Sequence, residues 1–231
     1  MKTLLDGAAS VIVQSALIGP DSHMPMALHR GTPKLLVVVG DNATGKSLFV
    51  RVLRAYLVAD EDGVREKDAP TVLMVSIRER TGATIEGFQK AMMFGDEAES
   101  STGANSIRVV QTAFHSAENY ERSALIFDEP EMGLSDSYAG AMGTYIAQRA
   151  GQMPTGCLGT VVVTHSKALV AAMLAQAGEL SIVLAGSDEP TTAGSWVQQA
   201  TVKSVDELLA LPDIGHHRWR STQEVLNSFR S

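Results

Sequence analysis

The sequence predicts an α/β fold: a mostly parallel sheet with helices on both faces, in three layers. Three observations predict it. Five short runs are rich in aliphatic and β-branched residues, these runs do not alternate with polar residues, and helical periodicities lie between them. Continuous apolar strands belong to sheets buried on both faces. Strands alternating with helices build βαβ units, whose ligands bind outside the carboxyl ends of the strands.

The strands are KLLVVV (34–39), TVLMVSI (71–77), ALIF (124–127), TVVVT (160–164) and SIVLA (181–185). Between them, SLFVRVLRAYLV (47–58) predicts a helix with Leu48, Val52, Tyr56 and Leu57 toward one face. NSIRVVQTAFHSA (105–117) sets Ile107, Val110, Phe114 and Ala117 at helical spacing. SDSYAGAMGTYIAQRA (135–150) opens on cap-type Ser and Asp, and KALVAAMLAQAG (167–178) stops at Gly178. The polar stretch 59–70 reads as a loop. Beyond 186 the pattern weakens: SWVQQATV (195–202) reads as an edge strand, and VDELLALP and QEVLNSF as two short helices. The expected organisation is one domain over 1–231, with its core at about 30–186 and residues 187–231 as a C-terminal extension.

The 231 residues are 45% hydrophobic and 19% charged, which suits an ordinary globular core. A net charge of -7 gives no general field for a phosphate backbone, so nucleic acid binding would need a local basic patch or a partner protein. The compact cationic cluster HHRWR (216–220) is too short to argue from. A single cysteine, Cys157, excludes an intrachain disulfide and suits a reducing compartment. No apolar run approaches bilayer length, and Asp6 interrupts the apolar N-terminus early, which argues against a signal peptide. The expectation is a cytoplasmic protein without direct membrane insertion.

GDNATGKS (40–47) stands between a predicted strand and a predicted helix. Gly, four residues, then Gly-Lys-Ser in that context is a phosphate-binding loop: glycines let backbone N–H groups turn inward, and the helix start adds its dipole. Gly40, Asp41, Asn42, Ala43, Thr44, Gly45, Lys46, Ser47 and Leu48 are expected to bind the polyphosphate. Lys46 would reach the β- and γ-phosphates, and Ser47 would ligate Mg²⁺. The plain alternative is a glycine-rich turn with a chance Lys-Ser.

A second strand ends in Asp128-Glu129, within ALIFDEPEMGLSD (124–136). Asp128 there can hold the Mg²⁺ shell and Glu129 can act as general base on the attacking water. VVVTHS (161–166) sets His165 just past a third strand on the same edge, where histidine suits a γ-phosphate contact. The plain alternatives are two solvated acids and an exposed histidine.

Together these residues resemble the ATP-binding-cassette (ABC) class of P-loop ATPases, over about residues 34–166. GDNATGKS is similar to that class's GxNGxGKS loop, with Ala43 where a glycine is usual. DEPEMGLSD resembles the Walker B Asp, the catalytic Glu and the D-loop, with Ser135 and Asp136. VVVTHS resembles the switch-histidine strand. SSTGANS (100–106) is similar to a degenerate signature, with Thr102 at the Ser position and Gly103 at the first Gly; a plain helix cap is the alternative. The resemblance implies ATP and Mg²⁺ as ligands. It also implies a homodimer or higher homo-oligomer on ATP binding, with Thr102 and Gly103 completing the partner's site. Departures are a helical region of reduced size, no evident Q-loop beyond Gln89, and no clear adenine-stacking residue, with His23 and His29 as candidates. The DEPE form resembles soluble branches that serve DNA repair and phage defence, and a protein effector is expected because the sequence shows no second catalytic constellation of its own. Two alternatives stand: a slow nucleotide-dependent switch or scaffold, and a transporter nucleotide-binding subunit.

Overall fold

The structure, a computed structural model, describes residues 3–19, 22–59, 64–76, 102–199 and 202–228. Six strands form one sheet: β1 (Met26–His29), β2 (Leu35–Gly40), β3 (Thr71–Val75), β4 (Ser123–Asp128), β5 (Cys157–Val163) and β6 (Ser181–Ala185). Their order is β1-β6-β2-β5-β4-β3. Every pair is parallel except β1 with β6, so the one antiparallel strand lies at an edge.

The helices are α1 (Leu4–Gln14), α2 (Lys46–Val58), α3 (Thr102–Glu118), α4 (Asp136–Gln152), α5 (Lys167–Ala177), α6 (Ala193–Gln198) and α7 (Val205–Ser228). Two apolar clusters sandwich the sheet. Leu35, Val37, Val39, Leu125 and Phe127 pack on Val110 and Phe114 of α3, Met142 and Ile146 of α4, and Leu169 of α5. Leu36, Val38, Ile126, Val161 and Val163 pack on Leu4, Ala8 and Val11 of α1 and Phe49 and Leu53 of α2. Both faces being covered explains why the strands carry no polar alternation. Each large apolar side chain so buried contributes roughly 1.5–3 kcal/mol relative to exposure.

Three expectations need correction, and two elements were not anticipated. MALH forms β1 and the N-terminal apolar stretch forms α1, neither of which was expected. Residues 195–199, the described start of the expected edge strand, are helical up to Gln198: Thr192 caps the helix, accepting the Ser195 N–H at 3.1 Å, and Trp196 is buried. The two short C-terminal helices are one, α7, continuous through Pro212. The buried stripe of α2 is Lys46, Phe49, Val50, Leu53 and Leu57, while Leu48, Val52 and Tyr56 flank it. The phase follows from Lys46, which the preceding loop turns inward; residues three, four, seven and eleven positions on must then face the sheet.

Helices α4 and α5 approach closely at Gly143, where an added Cβ would lie 2.3 Å from the Leu169 carbonyl oxygen. Alanine normally stabilises a helix over glycine by about 1 kcal/mol. At Gly143 the sign inverts: Gly143→Ala is expected to destabilise by about 2 kcal/mol or more through the main-chain clash. At Gly151, near the exposed end of the same helix and with nothing within 4 Å, Gly151→Ala is expected to be neutral or stabilising by up to about 1 kcal/mol. Paired chemical denaturation curves check both signs.

Candidate functional site

Strands β2, β5 and β4 lie abreast, with Val38, Val163 and Asp128 in one row. The Thr164 N–H donates to the Val38 carbonyl at 3.1 Å and the Glu129 N–H to the Val163 carbonyl at 2.9 Å. Three chain segments thus leave one sheet edge locked to each other: the 40–47 loop, Asp128-Glu129 and Thr164-His165.

The loop's backbone is set at its glycines. Gly40 has φ of 139°, and a Cβ there would meet the Ala185 carbonyl oxygen at 2.3 Å, so only glycine can leave β2 beside β6. Ala43 (φ 60°) and Gly45 (φ 95°) are also left-handed. The position where the resembled class carries glycine is therefore one that glycine suits, and Ala43 holds it at a cost of about 1–2 kcal/mol. The Thr44 hydroxyl donates to the Asp41 carbonyl at 2.8 Å and closes the turn.

Helix α2 begins directly after Gly45 with no acid in its first turn, so its N-terminal field is left for an anion. Lys46 folds back into the loop and donates to the carbonyls of Gly40 (2.9 Å) and Asp41 (2.7 Å). Burial pushes its pKa down to about 8, against the opposing pull of Glu129, Asp41 and Asp128.

Glu129 sits at φ 52°, a left-handed conformation that costs a side-chain-bearing residue about 1–3 kcal/mol. The turn brings its carboxylate to 3.5 Å from His165 Nε2. His165 is pushed down to about 4, first by burial and then by the Lys46 ammonium, although a third of its side chain remains open to solvent. At neutral pH it is an uncharged imidazole, so its contact with Glu129 is a polar approach and not an ion pair.

A cavity of about 390 Å³ joins these parts. Loop residues 42–48 line one side, and Asp128, Glu129 and His165 another. Ser47 and Asp128 offer it oxygen donors, the pair expected to hold Mg²⁺; a hard cation bound by one carboxylate, a hydroxyl and substrate phosphates suits that set. Gly40 and Asp41 act from behind, through the carbonyls that hold Lys46.

Thr102 and Gly103 are not brought to this cavity. Thr102 opens α3, and Gly103 lies against the turn after Glu131, its Cβ position 2.6 Å from Leu134 Cδ2 and 2.9 Å from the Gly133 carbonyl. Ser106 fastens the same helix turn to the Met132 carbonyl at 3.0 Å. Gln89 lies outside the described residues. Neither His23 nor His29 is among the described residues lining the cavity.

Residues not anticipated complete the wall: Met24, Arg51, and Gly215, Arg218, Trp219 and Thr222 of α7. Arg218 donates to the Ala43 carbonyl, and Lys203, just before α7, pairs with Asp41 at 3.0 Å. The only advance sign of this wall was the HHRWR cluster. Glu131 was also missed; it accepts a hydrogen bond from the Thr164 hydroxyl, and burial raises its pKa.

Comparisons with protein-family models, with characterised proteins and with solved structures find no match to this chain. Among the described residues no helix is long and apolar enough to cross a membrane.

The electrostatics of the site are directly measurable. In NMR titration, His165 is expected to titrate near 4 in the unsubstituted protein and higher in Lys46→Met, which removes the second cause of its depression while leaving burial in place. A value near 6.5 in the unsubstituted protein would contradict the geometry. Acidification from 6.5 toward 4 should also destabilise the fold, because the unfolded chain takes up a proton that the folded ring refuses.

Proposed function

We propose that this protein is an ABC-type P-loop ATPase that binds and hydrolyses Mg-ATP. The observation that carries the proposal is convergence: the loop with Lys46, the Asp128-Glu129 pair and His165 meet on one cavity at the carboxyl edge of the sheet. The sequence spaces these residues far apart, and the parallel register supplies the meeting point.

In this reading the loop N–H groups and the start of α2 cradle the phosphates, and Lys46 turns from its two carbonyls to the β- and γ-oxygens. Ser47 and Asp128 would hold Mg²⁺, which when bound neutralises developing charge on the phosphate oxygens. Glu129 takes a proton from a water as that water attacks the γ-phosphorus. The bond to the β–γ bridging oxygen breaks, leaving ADP and phosphate. The neutral His165 donates its N–H to the γ-phosphate. The start of α3, with Thr102 and Gly103, lies away from the cavity of its own chain. That placement supports its use in trans, in a head-to-tail dimer that closes on ATP. The chain carries no second catalytic constellation in its motifs, so the ATPase is proposed to drive or gate a protein effector. DNA repair or phage defence is the setting its resemblance favours.

Lys46→Ala is expected to abolish nucleotide binding or turnover. Glu129→Gln should bind ATP but lose about 10²–10⁴ in turnover, the range of a general base. Light scattering on Glu129→Gln should show a monomer becoming a dimer only with Mg-ATP; unchanged turnover would remove Glu129 as the base, and a mass indifferent to ATP would remove the sandwich dimer.

The pH dependence has a defined sign. Burial holds the Lys46 pKa at about 8, and bound phosphates would raise it. Binding above pH 8 therefore takes up a proton, and ATP affinity should fall by up to about tenfold per pH unit. Calorimetric titrations between pH 7 and 10 check it, and a flat profile would exclude Lys46 as the titrating contact.

A further inference from the structure

Helix α7 presents one stripe to the cavity. Gly215, Arg218, Trp219 and Thr222 recur at the three- and four-residue spacing of a single helical face, and all four line the space above the loop. Gly215 leaves open space, with nothing within 4 Å of where its Cβ would stand. One turn on, Trp219 is 60% exposed. Among the described residues it has no ring or cation partner, whereas the other tryptophan, Trp196, is buried with the Lys167 ammonium 5.6 Å from its ring centroid. Arg218, adjacent to Trp219 in the chain, is tied to the Ala43 carbonyl, which anchors this turn of α7 to the 40–47 loop.

A flat π-face, open space beside it and a place on the same cavity as a phosphate cradle are what a nucleotide base requires. We infer that Trp219 is the base-stacking residue of this site and that it selects purine nucleoside triphosphates, with Arg218 as its positioning residue. The inference rests on the phosphate-site reading of the 40–47 loop and adds the half of the ligand that the loop does not touch. Stacking rewards overlap area, so a two-ring base gains more on an indole than a one-ring base does. The cavity volume of about 390 Å³ lies within the range of small-ligand sites.

The test is calorimetric binding of Mg-ATP, Mg-CTP and Mg-tripolyphosphate to the full chain and to Trp219→Ala and Trp219→Phe. Trp219 is exposed, so neither substitution removes core. Base–aromatic stacking is worth roughly ten- to a hundredfold in affinity. Trp219→Ala is expected to lose about that factor for ATP, to lose less for CTP, and to keep tripolyphosphate affinity; Trp219→Phe should retain most ATP affinity. Equal losses for ATP and tripolyphosphate would make Trp219 merely structural and overturn the inference. Unchanged ATP affinity in Trp219→Ala would overturn it while leaving the phosphate-loop reading intact. If the unsubstituted protein bound neither ATP nor tripolyphosphate, the phosphate-loop reading would fall and the stacking role with it.

Discussion

The ammonium of Lys46 is the charge around which the rest of the site is arranged. A buried cation is costly unless acceptors surround it. Here the acceptors are the carbonyls of Gly40 and Asp41, so the loop closes around the side chain that follows it. The same inward turn sets the phase of α2 and directs Phe49, Val50, Leu53 and Leu57 into the core. Its field also reaches His165 and helps to keep that ring neutral. One residue therefore couples loop shape, helix packing and the protonation state of a neighbour. The carboxylates of Asp41, Asp128 and Glu129 favour its charged form, and burial opposes them.

Strand order does the remaining assembly. β5 lies between β2 and β4, so the segment that follows it emerges between the 40–47 loop and the acids. His165 is placed by that adjacency and not by closeness in sequence. The strained φ of Glu129 is held by the same ladder, because its N–H is tied to Val163 on β5. β1, the antiparallel strand, sits at the far edge beyond β6, where it does not disturb the set of parallel ends.

What the sequence made legible was local. Asp128, Glu129, His165 and the 40–47 loop each follow an apolar run, and the end of a buried strand can be read from such a run. The α/β class follows from the same runs. What escaped was short or distant. β1 is four residues long, too short for its pattern to stand out. α7 reads in the sequence as two short helices, VDELLALP and QEVLNSF, although SVDE at its start forms a capping box: the Glu207 N–H donates to Ser204 Oγ at 3.2 Å, and Glu207 accepts the Ser204 N–H at 2.8 Å. No periodicity could have said that Arg218 and Trp219 return to a loop 175 residues earlier in the chain. That placement is tertiary, and HHRWR carries no spacing that announces it.

The way α7 is attached gives the site its last property. Much of the helix is exposed, including Leu208 and Leu209. Two attachments tie it to the 40–47 loop itself, from Arg218 to Ala43 and from Lys203 to Asp41. The second is solvent-exposed, and such pairs contribute about 0–1 kcal/mol. These two contacts couple the position of the helix to the conformation of the loop it touches. Coupling of this kind is reciprocal: whatever fixes the loop fixes the face of α7 above it, and whatever holds α7 in place favours the loop shape that presents the Ala43 carbonyl. The 40–47 loop on one wall and the Trp219-bearing face of α7 on the other are therefore linked through a single carbonyl of a strained residue.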